Sequence, residues 1–532
     1  MGALDAYPPT RTGRVSVPLD HFRYSSSASY FHLRYAAYEA FATHPTSPVL
    51  FYCGNEGALE LFYNATGALF EHGKSLGAKV FFIEHRYYGA SLPFGNASYA
   101  NENMQWLSIE QALADYSLVI SLLPSLLGCV GTGPRSAAKR CDVILFGGSY
   151  GGMLAAWHRL KYPFLSIGAI ASGAPIDFYP AENSSDAHGS EEVQRLFFEA
   201  VINTFERYGS PKGTGGCGMA LRRAFDVAET ATPTELEAAG VVPCNPWQPD
   251  DVERFAFYAK GAVADIALVD YPYPTNFIAP MPANPVRVAC AELERETGPQ
   301  TRIRTLNLLV RAVLGLVNAS ADVLCFDLQA ELVGTSRRSH TLRPASMVQA
   351  AAWSRALRRH AGNGQSLPSF TSSDLGVTAW NYQACTELIL EPITSDGFGF
   401  YPPAPDQISQ TEAICRRRFG VQPRPGWMRL AFGTGADFAL ASNIAFMEND
   451  KDPWHVGTRT VAPVGGIGGS VTRTVAKGGA HHQDLRFSSP LDASDVVKAR
   501  AFEQMLMRRW LRAPTDRDDV HRAQTTAQGR LS

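Results

Sequence analysis

No Cys-x-x-Cys pair occurs among the nine cysteines, at 53, 129, 141, 217, 244, 290, 325, 385 and 415. That spacing argues against a zinc ribbon or a thioredoxin-type site. No apolar run reaches the ~18 residues of a spanning helix, so no membrane span is expected. Charge of one sign is also missing: 48 basic and 50 acidic residues leave a net −2. Such a chain carries no basic field to hold nucleic acid. There is no internal repeat and no long low-complexity tract. The opening Met1-Gly2-Ala3-Leu4-Asp5 has neither a charged n-region nor an apolar h-region, so no signal peptide is visible. Ala6 stands where a myristoylation motif would want Ser or Thr.

What remains is a chain of 532 residues, 45% apolar and 18% charged. This fits a folded protein with a sizeable core, as one large domain carrying an insertion. The cysteines allow two readings: scattered buried thiols in a reducing compartment, or disulfides in an oxidising one with a thiol left over. Four Asn-x-Ser/Thr sequons, at Asn64, Asn96, Asn183 and Asn318, lean weakly toward the second.

Short apolar runs at 47–53, 79–84, 142–146 and 166–171 read as strands. Helical patterns at 108–123, opened by the capping box Ser108-x-x-Gln111, and at 153–161 alternate with them. Alternation of this kind predicts a parallel sheet covered on both faces. After about Pro175 the pattern changes. Helical periodicity dominates 176–425, notably at 191–208, 250–266, 302–317 and 345–361, and six of the nine cysteines lie there. Strand patterns resume at 443–447 and 470–475, and a last amphipathic helix covers 493–511. The expected organisation is therefore a first α/β part at 1–175, a helical insertion at 176–425, a second α/β part at 426–512, and a polar tail at 513–532 without regular structure.

Gly147-x-Ser149-x-Gly151 follows the third strand and opens a helix. That is the context of a nucleophile elbow, where small flanking residues let a serine sit on a tight strand-to-helix turn. A serine hydroxyl needs a base to take its proton. In this fold the partners come in the order Ser, Asp or Glu, His, each in a loop after a late strand. Asp452 follows 443–447 and His481 follows 470–475; on position alone Asp437 and Asp450 rival the first, and His482 the second. A surface loop, or an adventitious metal site using Asp484, is the bland alternative for the histidine pair. The oxyanion donors expected are the backbone N–H of Tyr150 and one from Gly54 or Asn55, in the loop after 47–53.

These stretches, with several others, resemble the S28 serine peptidases, the group of lysosomal Pro-Xaa carboxypeptidase and dipeptidyl peptidase II. The likeness includes Asp20-His21-Phe22, Gly54-Asn55-Glu56-Gly57, residues 84–89 (Glu-His-Arg-Tyr-Tyr-Gly) and 111–116 (Gln-Ala-Leu-Ala-Asp-Tyr). It continues through 147–153, 382–387 (Tyr-Gln-Ala-Cys-Thr-Glu), Asp452-Pro453-Trp454 and 479–486. The resemblance implies an α/β-hydrolase fold with an inserted helical cap, and a triad of Ser149, Asp452 and His481. It implies hydrolysis next to proline, an apolar proline pocket to which Met153 and Trp454 correspond, and no metal or organic cofactor. Leu390 is expected to add to that pocket, and Glu56 to contact substrate. The family's cap disulfides imply Cys217–Cys290, Cys244–Cys325 and Cys385–Cys415. Cys129 and Cys141 bracket a short Gly-rich loop and could pair with each other, which would leave Cys53 as the free thiol.

Two departures stand out. Glu448-Asn449 replaces the family's Asn-Gly before the acid loop, so Asn449 is expected to take the positive φ that a glycine would supply. Ile393 stands where a further cap cysteine would be, so that bridge should be missing. The expected partners are proline-containing peptides in a secretory or lysosome-like compartment, with homodimer formation left open. Carboxypeptidase action is favoured. A dipeptidyl peptidase, an esterase or lipase on the same fold, and a catalytically inactive binding protein are the alternatives. A terminal carboxylate needs a cationic or N–H-rich site and a free amine needs a carboxylate; Arg86 and Glu56 are the respective candidates.

Overall fold

In a computed structural model, the structure describes residues 2–24, 29–129, 141–179, 187–209, 216–277, 280–295, 301–314, 316, 328, 377–388, 407–424, 426–461 and 471–512. Its centre is an eight-stranded sheet: β1 (Arg11–Pro18), β2 (Tyr30–Tyr38), β3 (Val49–Tyr52), β4 (Lys79–Ile83), β5 (Val143–Gly148), β6 (Gly168–Ser172), β7 (Ile444–Asn449) and β8 (Val471–Ala476). The spatial order is β1-β2-β4-β3-β5-β6-β7-β8. Pairing is antiparallel for β1 with β2 and β2 with β4, and parallel from β4 through β8.

The parallel strands β3 to β7 are near-continuous apolar runs because both faces are covered, whereas the edge strand β8 keeps Thr472, Arg473 and Thr474 half-buried. Successive residues alternate between two cores. Val49, Phe51, Val143, Leu145, Ile444 and Phe446 face one. Leu50, Tyr52, Ile144, Phe146, Ala445 and Met447 face the other. The first core is closed by the helices Ile109–Leu127 and Tyr150–Lys161, through Leu113, Val119, Leu154 and Trp157. The second is closed by Leu59–Ala65, Gly67–Leu76 and Ser494–Arg512, through Phe62, Phe70, Leu506 and Trp510. Each such side chain, fully buried, stabilises the sheet by about 1.5–3 kcal/mol. This is the α/β-hydrolase fold.

All the described elements between β6 and β7 are helical, apart from one isolated bridge between Thr275 and Met281. They include Ala187–Tyr208, Gly216–Glu229, Asp251–Leu268, Pro285–Leu293, Arg302–Leu309, Val377–Thr386 and Gln407–Phe419. The expected helix at 345–361, Ile393, Asn183, Asn318 and the tail 513–532 lie outside the described residues. Disulfides join Cys217 to Cys290, Cys385 to Cys415 and Cys129 to Cys141, and Cys53 is a buried free thiol. Cys244 is disulfide-bonded; Cys325 lies outside the described residues.

One local expectation is corrected. Asn449 does not take a positive φ: it is the last residue of β7, in register with Ala476 of β8. Its side chain is used instead, donating to Asp484 Oδ1 at 2.8 Å.

Candidate active site

The carboxyl ends of β5, β7 and β8 converge, and the three candidate residues follow them. Ser149 comes directly after β5 with φ 56° and ψ −127° and begins the helix Tyr150–Lys161. Glycines make this turn possible. A Cβ on Gly147 would stand 2.0 Å from the Gly151 carbonyl oxygen, and one on Gly151 would stand 2.2 Å from Asn55 Oδ1. The Ser149 N–H donates to the Ser172 carbonyl at 2.8 Å, which pins the elbow to β6.

Asp452 is fully buried and aims Oδ2 at His481 Nδ1, 2.6 Å away. Its Oδ1 accepts the Trp454 N–H at 2.9 Å, so both oxygens are fixed. The rivals are otherwise engaged. Asp450 accepts from Tyr208 Oη and from the Gly478 N–H, both at 2.7 Å. Asp437 accepts the Thr434 N–H at 2.7 Å. His482 packs edge-on against Phe277, and burial pushes its pKa well below the ordinary value. His481 is held by its backbone on both sides: its N–H donates to the Leu268 carbonyl at 3.0 Å, and its own carbonyl accepts from Tyr271 Oη at 2.8 Å. Both partners belong to the helical region. The pair stands directly over Gly173, where a Cβ would approach Asp452 Oδ2 to 3.0 Å and His481 Nδ1 to 3.1 Å.

Behind this pair lies a layer the sequence did not single out. Asp484 Oδ1 accepts from Ser172 Oγ and from Asn449 Nδ2, each at 2.8 Å. Burial and the neighbouring Glu503 push Asp484 up to about 7. Glu448 is buried beside Asp452 and Asp484; desolvation and those two charges hold its carboxyl protonated well above the ordinary carboxylate range. From the sequence Glu448 stands out only as a departure before the acid loop and Asp484 only as a possible metal neighbour of the histidine pair, because nothing in spacing reveals a partner across the sheet. Among the described residues no group of three or more His, Cys, Asp or Glu side chains could hold a metal ion.

The Gly54–Gly57 loop docks against the elbow. Asn55 Nδ2 donates to the Gly148 carbonyl at 2.6 Å and its Oδ1 accepts from Tyr52 Oη at 2.9 Å. Gly54 has no room for a side chain, since a Cβ would meet the Ile83 carbonyl oxygen at 2.4 Å. Glu56 follows with Oε2 buried and without a hydrogen-bond partner; burial raises its pKa while His481 counteracts. Met153 is buried one turn into the elbow helix, with Tyr179 Oη at 3.7 Å from its sulfur. Trp454 packs against Phe178 and Phe197 at ring distances of 4.9 and 4.8 Å. Both residues belong to one apolar cluster, whereas Leu390 lies outside the described residues. Arg86 is removed as a carboxylate receptor. It is fully buried, and all five of its N–H groups are spent on Asp115 and on the carbonyls of Pro18, Leu19 and Trp106.

Residues 17–503 match the family of serine carboxypeptidase S28. The chain is 31% identical over 523 residues to lysosomal Pro-X carboxypeptidase of Bos taurus, covering 94% of this chain and 89% of that one. It is 29% identical to the Homo sapiens protein of the same name, over 93% of this chain and 87% of that one. It is 25% identical to thymus-specific serine protease of Homo sapiens, over 94% and 87%. Among solved structures it is similar to a proline iminopeptidase of Mycobacterium smegmatis, with a TM-score of 0.31 and 12% identity, covering 94% of this chain and 100% of that one. A family match that runs from β1 to the last helix, over a sheet that ends in this buried acid–imidazole pair, means that the chain belongs to the serine carboxypeptidase S28 family.

Proposed function

We propose that the protein is a serine exopeptidase that cleaves the bond after proline at the carboxyl end of a peptide. Ser149 Oγ attacks the carbonyl carbon and His481 takes its proton. Asp452 accepts from Nδ1, which fixes the tautomer and stabilises the imidazolium. The Tyr150 N–H and one from Gly54 or Asn55 receive the oxyanion. His481 then protonates the leaving amine, and water releases the acyl group by the reverse path. The observation that carries this reading is the 2.6 Å contact from Asp452 Oδ2 to His481 Nδ1 beside the elbow. The relatives named Pro-X carboxypeptidase support the substrate class. Met153 and Trp454 supply apolar surface suited to a proline ring, which needs no hydrogen bonds. In the same reading 176–425 forms a cap over the site, the disulfides support passage through an oxidising compartment, and the relatives named lysosomal support a lysosomal destination.

Glu56 favours one second reading. An unpartnered buried carboxylate oxygen beside the oxyanion loop is what a free α-amine would seek, as in a dipeptidyl peptidase. Two peptides separate the readings: Ala-Pro-Phe acylated at its amino end, and Ala-Pro-Phe amidated at its carboxyl end. Loss of phenylalanine from the first alone is expected; release of Ala-Pro from the second alone would favour the alternative. A fluorophosphonate should label the native protein and not Ser149→Ala. That variant should retain only about 10³-fold acceleration over water. Undiminished turnover by Ser149→Ala would remove the nucleophile assignment.

A further inference from the structure

Two stretches that carry the family likeness, 84–89 and 382–387, have no part in the triad. They meet behind the elbow. Gln383 lies on the helix Val377–Thr386, between β6 and β7 in the chain, and is fully buried. Its Nε2 donates to Tyr150 Oη at 2.9 Å and to Glu387 Oε1 at 3.2 Å. Its Oε1 accepts from Tyr88 Oη at 2.5 Å. Tyr150 Oη lies 3.1 Å from His85 Nε2, and His85 Nδ1 lies 2.7 Å from the Arg86 carbonyl. Trp380, one turn earlier on the same helix, packs edge-on against the Tyr150 ring at 5.3 Å.

The donor and acceptor inventory fixes one direction for this chain. A carbonyl can only accept, so His85 carries its proton on Nδ1 and its bare Nε2 must accept. Tyr150 therefore donates to His85. Its oxygen is left to accept, and the amide nitrogen of Gln383 supplies the donor. The amide oxygen then accepts the Tyr88 hydroxyl hydrogen bond. Burial keeps His85 neutral, lowering its pKa to about 4, which agrees with this arrangement. Every group is buried, so each lost bond would leave an unsatisfied partner.

We infer that Gln383 is a positioning residue for the reaction: through the Tyr150 side chain it holds in place the backbone N–H directly after the nucleophile. The helical region thus completes the oxyanion site from behind, besides holding His481 through Leu268 and Tyr271. Glu387 anchors the same helix by accepting the Ile109 N–H at 2.9 and 3.1 Å, at the start of Ile109–Leu127. The inference rests on the proposed role of Ser149 and the Tyr150 N–H.

The test compares the full-length native protein with Gln383→Leu and Gln383→Glu. Steady-state kinetics use amino-acylated Ala-Pro-Phe, with thermal melts to establish folding at the assay temperature. Gln383→Leu should lower kcat by about 10- to 100-fold, the scale of a small misplacement of a reacting group, with KM within about threefold. In Gln383→Glu a protonated carboxyl reproduces the donor to Tyr150 Oη and the acceptor for Tyr88, giving up only the second bond to Glu387, whereas a carboxylate offers no donor. Its kcat relative to native should therefore climb as pH falls, with KM unchanged. A purely structural role would move kcat and KM together and leave that ratio flat, which would overturn the inference. A kcat within twofold of native in Gln383→Leu would do the same. Where the leucine variant does not fold, the glutamate variant decides through its pH ratio. A native protein unreactive to fluorophosphonate would instead remove the underlying reading of Ser149.

Discussion

Ser149 holds a backbone conformation that costs a non-glycine residue about 1–3 kcal/mol, so its surroundings must enforce it. Gly173 is the neighbour on which the site depends most closely. Its φ is +54°, and the space of its missing side chain is filled by Asp452 and His481. Gly173→Ala should push the pair off its 2.6 Å contact and lower kcat at least about 100-fold while the protein still folds. Gly128→Ala makes the control. It has the same kind of backbone, φ +62°, with nothing within 4 Å of the added carbon; it should lose a little stability and no activity. Equal activity of the two variants on the peptide substrate would refute the argument. At this scale the elbow was legible because its glycines are close in sequence and answer one steric demand. Asp452 and Asp450 were not separable by spacing. What separates them is that Tyr208 and Gly478, which are remote in sequence, claim Asp450.

Strands buried on both faces announced themselves as apolar runs, so β3 through β7 could be read before any coordinates; β8, at the sheet edge with Thr472, Arg473 and Thr474 only half-buried, gave a weaker strand pattern. The antiparallel pair β1 and β2 could not. Arg11, Thr12, Arg14 and Ser16 are wholly or partly exposed on β1, and the register that orders them comes from β2. The last helix, Ser494–Arg512, was legible as amphipathic, but its function was not. Arg500 reaches from it into the histidine loop, with Nε on the Asp484 carbonyl and Nη2 on the Gln483 carbonyl, each at 2.8 Å. Its Nη1 bonds Asp492 Oδ2 at 2.6 Å. A single guanidinium therefore ties down the residues that follow His481. Arg500→Met leaves the buried Asp492 carboxylate without its counter-charge and the Asp484 carbonyl without its donor, at a cost of about 3–5 kcal/mol. The urea midpoint should fall accordingly, and adding Asp492→Asn should recover part of the loss. An unchanged midpoint in Arg500→Met would show that the helix does not brace the loop.

Across the whole molecule, buried acids and buried histidines set opposing demands on pH. Burial, with nearby carboxylates, raises Glu387 to about 8 and Asp484 to about 7, and burial raises Glu503 to about 7. Burial also raises Asp265 and Glu448 well above the ordinary carboxylate range. The spare oxygens of the neighbouring Asp484 and Glu503, Oδ2 and Oε1, have no hydrogen-bond partner. These groups keep protons in the folded state that the unfolded chain has released above about pH 4. Their stabilisation is complete below that pH and is lost as pH rises through 7 to 8. Burial lowers His72 and His85 to about 4 and His158 to about 3. For these the unfolded chain binds the extra proton, so their share is complete above about 6.5 and is lost as pH falls toward 4. The two sets oppose each other between 4 and 6.5, but above 6.5 only the acids still respond. Tm should therefore fall steadily from pH 6.5 to pH 8. Asp484→Asn should flatten that fall, because it takes one charge from the pair behind the histidine loop. Calorimetric melts at several pH values check both expectations, and a Tm that rises between 6.5 and 8 would contradict the burial of these acids.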